Sequence, residues 1–372
     1  MNKKKYFSII SFIIISHFTF SQVSNPGVTD NYDSLENGKV TIGGLVDTYL
    51  GYDLVNPTSH DRPYCVTASR TDEFNINVAF IDLKYKNNQV RAHIVPGFGT
   101  YINDNYANES GSLKNLIEAN AGVKLFKTKN IWLDAGILSA PYTNESIISK
   151  DHQVYTRSLG VEIVPYYLSG IKLSLPINSK FKSYFYLSNG WQEIKDNNKS
   201  LSLGTQIEYR PTNAILLNWN TYIGNEYSLN TPNYGTRYFS DVFIIYQPKD
   251  KKFSFTACTY LGVQKINNQD YKNQVWWQGN FTSEYKFYKN SSFSGRIEYF
   301  SDPKKTILTP VTNLGSVSCF SASFCFNQKI TNHAYFRIEN RFYQAKSPIF
   351  RTKSNNSTKI DNLLIANLTV WF

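Results

Sequence analysis

Charged side chains recur at every second position in several short stretches, and that spacing is the chemistry this sequence offers. Arg91 and His93 stand two apart, as do Arg296 and Glu298, while Arg337, Glu339 and Arg341 make a run of three. Lys172, Lys182 and Arg210 fall at the same phase of their own stretches. A repeat of two is the repeat of a β-strand, so each set shares one face of its strand. Basic groups ringed around a water-filled space act on passing solutes through their field and favour anions. The plainer alternative is that Arg and Glu on one face pair into a structural network, as Arg337, Glu339 and Arg341 easily could. Because both signs share this face, pairing carries the greater weight.

A second set lies in the irregular stretch from Pro141 to Val161: Tyr142, Glu145, Lys150, Asp151, His152, Tyr155 and Arg157. Mixed signs on one segment suit a transverse electric field if the segment folds inward, and an ordinary exposed loop if it does not. Enzymatic chemistry finds little support. The five histidines are scattered, without an HExxH or H-x-E arrangement, and there is no GxSxG elbow. Cys65, Cys258, Cys319 and Cys325 form no CxxC metal motif. Cys319 and Cys325 would lie about 20 Å apart along one strand, too far to bridge. No cofactor, metal or obligatory disulfide is expected.

The elements that must position these residues are strands. Sixteen segments of strand character run over 39–54, 74–86, 89–102, 115–126, 131–140, 162–177, 180–191, 200–211, 214–227, 236–248, 252–265, 274–287, 291–302, 315–327, 333–346 and 359–372. The gaps between them alternate. Tight turns at Asn87-Asn88, Lys127 to Asn130, Asn178-Ser179, Thr212-Asn213, Lys249 to Lys251 and Lys289-Asn290 rotate with long connections. That rotation matches an all-β, closed antiparallel transmembrane barrel of about sixteen strands, with short periplasmic turns and long external loops. A sandwich or propeller has no reason to alternate so.

Facing follows from parity. Leu201, Leu203, Thr205, Ile207 and Tyr209 oppose Ser202, Gln206, Glu208 and Arg210, and Phe336, Ile338 and Phe342 oppose Arg337, Glu339 and Arg341. An Arg or Lys facing the bilayer midplane costs about 2–4 kcal/mol, so the charged parity is the lumen. The second and tenth strands are less clean, and a bulge near Phe80 is expected to shift register. In the last strand Leu364, Ala366, Leu368, Val370 and Phe372 share the lipid parity, with 39–54 as the closure partner.

The front end reads as an export signal. Lys3, Lys4 and Lys5 precede an apolar run from Tyr6 to Phe20, with small side chains at Thr19 and Ser21, so 1–21 is the expected signal peptide and 22–38 a periplasmic lead-in before the 39–372 barrel. Beyond Ser21 nothing approaches the roughly twenty apolar residues of a membrane helix, which leaves a barrel as the only spanning structure. With 27 Tyr and 25 Phe the aromatic content suits interfacial girdles. The net charge of +11 falls to about +8 without the three leading lysines. In an exported chain that excess implies an electropositive lumen or loop surface and no nucleic-acid partner.

Several stretches resemble a known family. GGLVDTYLGYDL (Gly43 to Leu54), VRAHIVPGFGTYINDNY (Val90 to Tyr106), LIEANAGVKL (Leu116 to Leu125), IWLDAGILSAPYTNES, YTRSL and VPYYLSGIKLSL are similar to the OmpL-like beta-barrel porins of Gram-negative outer membranes. The likeness is clearest from Gly43 to about Gly190. Its pattern of Glu145, Ser146, Tyr155 and Arg157 is the most distinctive part, and the departure is Pro141-Tyr142, where a glycine is expected nearby. The resemblance implies a diffusion channel of uncharacterised substrate and no catalytic residue; the residues of the lumen add passive passage of small hydrophilic solutes with a mild anion preference. In sixteen-stranded porins the third external loop enters the channel, the role open to Pro141–Val161. The partners implied are outer-membrane lipid, the solutes, the barrel-assembly machinery through Phe372, and a homotrimer. The alternative is a surface-binding or structural outer-membrane barrel whose lumen is closed by Arg–Glu pairs.

Overall fold

Alternation of period two, broken at regular intervals by Gly, Asn, Asp and Lys turns, builds a single closed antiparallel sheet. The computed structural model describes residues 32, 35–55, 57–267 and 273–372, so the expected signal peptide and most of the lead-in lie outside the described residues. The barrel strands are β1 (Lys39–Asp53), β2 (Phe74–Lys86), β3 (Val90–Phe98), β4 (Leu116–Lys124), β5 (Trp132–Ser139), β6 (Tyr167–Pro176), β7 (Phe181–Ser188), β8 (Ser202–Thr212), β9 (Ile215–Asn225), β10 (Tyr234–Tyr246), β11 (Phe253–Ile266), β12 (Gln274–Tyr288), β13 (Ser291–Asp302), β14 (Val317–Thr331), β15 (Ala334–Ala345) and the closing strand Ile360–Trp371. Each pairs with its sequence neighbours, and the closing strand pairs with β1 from Leu45↔Trp371 to Asp53↔Leu363, so no edge remains. All sixteen expected strands are present. A short helix α1 (Thr100–Asn105) and a two-residue ribbon, Phe350–Arg351 with Ser357–Thr358, decorate the long-loop end.

The charged parity is inside. Leu203, Ile207, Phe253, Leu261, Phe293, Ile297, Ile338, Leu364 and Leu368 are exposed on the outer face, while Arg296, Glu298, Arg337, Glu339 and Arg341 are buried within the barrel. Substituting Ile297 by Arg, one position from the buried Arg296, is expected to cost about 2–4 kcal/mol, measured by denaturant unfolding of the barrel from lipid.

The irregularity in β2 lies at Asn77, not near Phe80: Asp47 pairs with Val78 and Thr48 with Ile76, so Asn77 is the extra residue. Its amide explains the bulge. Nδ2 donates to Asp47 at 2.8 Å and Oδ1 accepts the Ala68 N–H at 2.9 Å, tying the wall to the first long loop. β10 is irregular as expected, shifting register against β11 between Tyr234 and Arg237, and its inner face mixes Phe239, Phe243 and Ile245 with Arg237 and Asp241, which blurred its sequence pattern.

Candidate functional site

The segment after β5 does not stay outside. Tyr142, Thr143, Asn144, Glu145, Ser149, Tyr155, Thr156, Arg157, Ser158 and Leu159 are all buried, and they are buried against the inner wall. The bend expected to need glycine is taken by Thr143, whose φ of 65° is a conformation few non-glycine residues adopt. Its N–H donates to Asp241 of β10 at 3.0 Å. Asn144 donates to Thr256 of β11 at 2.9 Å and to Asn280 of β12 at 3.0 Å.

Farther along, the loop meets the carboxylates and guanidinium groups of β13 and β15. Glu339 accepts the Thr156 N–H at 2.7 Å and its hydroxyl at 2.6 Å, and Glu298 accepts the Leu159 N–H at 2.6 Å. Arg296 donates to the Thr156 carbonyl at 2.5 Å and lies 3.2 Å from Glu145 and 3.6 Å from Glu339. Glu145 in turn accepts the Ser158 N–H at 2.7 Å, closing the loop on itself. Arg341 donates to Glu298 and to the Arg157 carbonyl, and Arg337 to the Ser149 carbonyl at 2.8 Å. Arg157 donates to the Ser146 carbonyl and lies over the Tyr166 ring. His152 Nε2 accepts the Ser146 N–H at 3.0 Å, which requires the neutral ring with its proton on Nδ1. Backbone groups that a loop would normally give to water are here satisfied by charged side chains of the wall, which is why this stretch can be buried. Taking one partner from such a pair strands a buried charge. Arg341→Ala is expected to destabilise the barrel by about 3–5 kcal/mol through Glu298, and R341A/E298Q to recover part of that loss in a denaturant titration.

The remaining basic candidates line the opposite wall. Arg91 forms a two-pronged pair with Asp134, donating from Nε at 2.7 Å, and Lys172 Nζ lies 4.0 Å from the same carboxylate. His93 sits between Asp82 at 2.9 Å and Glu118 at 3.0 Å. Arg210 pairs with Glu208 at 2.7 Å. Lys182 faces inward, its Cα paired with that of Glu208 across β7 and β8. Tyr32 of the lead-in reaches this wall, its ring 4.6 Å from the Arg91 guanidinium and its carbonyl accepting from Lys86 at 2.9 Å. Sequence reasoning named the bases and missed these acids, although Asp82, Glu118 and Asp134 carried the same signal, inner parity.

At the long-loop end the lumen is aromatic. Trp191, from the connection after β7, packs between Tyr142, Tyr222, Phe239 and Trp276, and Arg237 lies 5.0 Å from its ring. The first long loop joins this filling: Val66 donates to Glu162 and Tyr64 to the Ile349 carbonyl. Cys258, Cys319 and Cys325 are free thiols on inner-facing strand positions.

Two narrow spaces lie against the inserted loop. A cavity of about 30 Å³ lies between the inserted loop and the wall carrying Asp82, His93 and Glu118, and another of about 30 Å³ lies on the other flank beside Asn144, Thr256 and Thr282. Glu145 lines both. Each holds one or two waters at most. At the short-turn end a wider vestibule of about 180 Å³ opens below the loop.

Outside the membrane, the connection after β7 docks on Glu109, whose carboxylate accepts the Ile194 N–H at 2.6 Å and the Tyr167 hydroxyl at 3.1 Å. Burial, with the carboxylates of Glu109 and Glu226, pushes neighbouring Glu193 up to about 7. The folded loop therefore favours neutral Glu193, and its docking is strongest at low pH and weakens as pH rises through 7. Exchange of the Ile194 amide, corrected for its intrinsic rate, is expected to be slower at pH 5.5 than at pH 8, and Glu193→Gln to remove the difference.

Comparison with known proteins agrees with this geometry. A family model described as "Putative beta-barrel porin-2, OmpL-like" matches residues 39–372. No curated protein sequence matches the chain. Among solved structures, OmpT of Vibrio cholerae superposes with a TM-score of 0.55 at 13% identity, covering 91% of this chain and 98% of that one. An anion-selective porin from Comamonas acidovorans gives 0.59 at 7% identity over 90% and 100% of the two chains. The outer membrane channel DcaP of Acinetobacter baumannii gives 0.59 at 10%, covering 90% and 98%. At these identities the likeness is one of fold. One form of the Vibrio cholerae OmpT structure is a trimer.

Proposed function

The chain belongs to the OmpL-like beta-barrel porin family, and from the geometry of its lumen we propose a porin that passes small hydrophilic solutes by diffusion along the flanks of an inserted loop. The single observation that carries this reading is the loop itself, residues 141–161, held across the lumen by Arg296, Glu298, Glu339 and Arg341 in place of a wide water-filled bore. Its Tyr142, Glu145, Tyr155 and Arg157 form the constriction, with Lys150, Asp151 and His152 at its short-turn mouth. Basic Arg91, His93, Lys172, Lys182, Arg210, Arg296, Arg337 and Arg341, with Glu298 and Glu339, shape the field there. Because many of the bases pair with acids, the anion preference is mild.

The family and fold are those of outer-membrane porins, which supports a channel of the Gram-negative outer membrane without catalytic chemistry. Residues 1–21 direct export as a signal peptide, 22–38 lead into the barrel, Phe372 engages the barrel-assembly machinery, and the working unit is a homotrimer, as in one OmpT structure. Purified protein in planar bilayers is expected to give small, discrete conducting steps, and a KCl gradient a reversal potential on the anion side; clear cation preference would remove the selectivity assignment.

The narrow flanks favour one other reading, a barrel closed by its Arg–Glu pairs whose external loops contact a partner. Electrical silence from protein that keeps its barrel circular dichroism selects that reading.

A further inference from the structure

The vestibule at the short-turn end has a composition that the pairing elsewhere in the lumen does not lead one to expect. Five cationic side chains, Lys150, Lys286, Lys289, Lys329 and Arg337, line its roughly 180 Å³, against two carboxylates, Asp151 and Glu284. Asp151 is engaged by Lys150 at 2.7 Å. Glu284 accepts hydroxyl hydrogens from Ser292 at 2.6 Å and Ser254 at 3.2 Å. Lys286 and Lys329 follow Glu284 and Asn327 at the inner parity of β12 and β14, so they lean over the mouth, half-buried.

Arg337 forms the roof. Its side chain is only 1% exposed, it lies 5.0 Å from the Tyr335 ring, and Nη1 donates to the Ser149 carbonyl, yet Nη2 has no hydrogen-bond partner among the described residues. Asp47, within its electrostatic reach, is already held by Asn77, Asn367 and Thr369. A cavity of this size lined by four lysines and the Arg337 guanidinium, with both of its carboxylates already engaged, is suited to an oxyanion.

We propose that this vestibule is a saturable binding site for small oxyanions, inorganic phosphate or the phosphate or carboxylate group of a small organic solute, reached from the periplasmic mouth. The site deepens the anion preference of the diffusion reading and rests on it only for its meaning in transport. An anion held here sits at the foot of the flank beside Asn144, Thr256 and Thr282, with which the vestibule shares Asp151, His152 and Gln153, so the two mouths of the channel differ in the solutes they concentrate.

Calorimetric titration of the detergent-solubilised full barrel reads binding without current, so its failure is distinct from failure to conduct. With inorganic phosphate at constant ionic strength, saturable binding is expected, at least tenfold tighter than for chloride. K286Q/K329Q, on the solvated rim and distant from the buried loop anchors, is expected to weaken phosphate at least tenfold, whereas K127Q/K129Q, in the turn after β4, leaves it unchanged. Absence of saturable binding, phosphate no tighter than chloride, or equal affinity in K286Q/K329Q and the unaltered protein each overturns the assignment.

Discussion

Replacing residues 144–158 by a short Gly-Ser link is expected to raise the single-channel conductance several-fold and to erase most of the discrimination between small and large solutes. The barrel wall does not set the present bore. Sixteen strands enclose a lumen wide enough for an aqueous channel, and their ring of strand pairs closes without a contribution from the loop. The two flanking cavities, about 30 Å³ each, are bounded on one side by the loop. Excision also bares Glu298, Glu339, Arg296 and Arg341, which now satisfy loop backbone. Once hydrated they no longer pay for burial, so the barrel is expected to survive the excision while point changes such as Arg341→Ala weaken it. Planar-bilayer recording with heat-modifiability on the same preparation separates the two effects. An excised barrel that stays folded and keeps the small steps of the intact chain would show that the wall, or the aromatic packing around Trp191, sets the resistance instead.

The barrel was legible because its signals are local. Parity needs only neighbouring residues, and the contrast of Ile297 with Arg296, or Ile338 with Arg337, states both faces of a strand within two positions. Turn lengths were equally local, and together they reported the closed ring. Where local patterns were ambiguous, a distant partner had decided them. The β2 bulge sits at Asn77 because the amide of Ala68, in a loop nine residues earlier, needs an acceptor there. The inner face of β10 mixes Phe239, Phe243 and Ile245 with Arg237 and Asp241, and Phe239 stands there because it packs on Trp191 and Tyr142 from two other connections. The inserted loop is the extreme case. Thr156 finds Glu339 across 183 residues and Leu159 finds Glu298 across 139, separations over which no periodicity carries information. What the sequence did show was a stock of acids and bases at one parity, without saying whether they would face water, each other or a loop.

Removing Phe372 is expected to prevent normal membrane assembly, because it takes away both a lipid-facing ring and the last hydrogen-bonded pair of the seam. Its N–H donates to the Gly44 carbonyl and its carbonyl accepts the Gly44 N–H, both at 3.1 Å, which makes the last two hydrogen bonds of the seam between β1 and the closing strand. Its ring lies on Gly44 so closely that a Cβ there would stand 2.5 Å from Cζ, and it is 69% exposed on the lipid side. A chain shortened by this one residue still ends on an aromatic, Trp371. That indole points the other way, toward Tyr335 and His333 at the lumen edge, with Lys150 5.8 Å from the ring. Phe372→Ala keeps the two backbone hydrogen bonds and loses the ring, while Gly44→Val keeps Phe372 and displaces it. If the lipid-facing ring is what assembly requires, all three changes reduce the heat-modifiable, membrane-inserted fraction, with the deletion worst because it also leaves Gly44 unpaired at the membrane edge. Normal insertion of the chain ending on Trp371 would show that any terminal aromatic suffices and that the seam closes without its last pair.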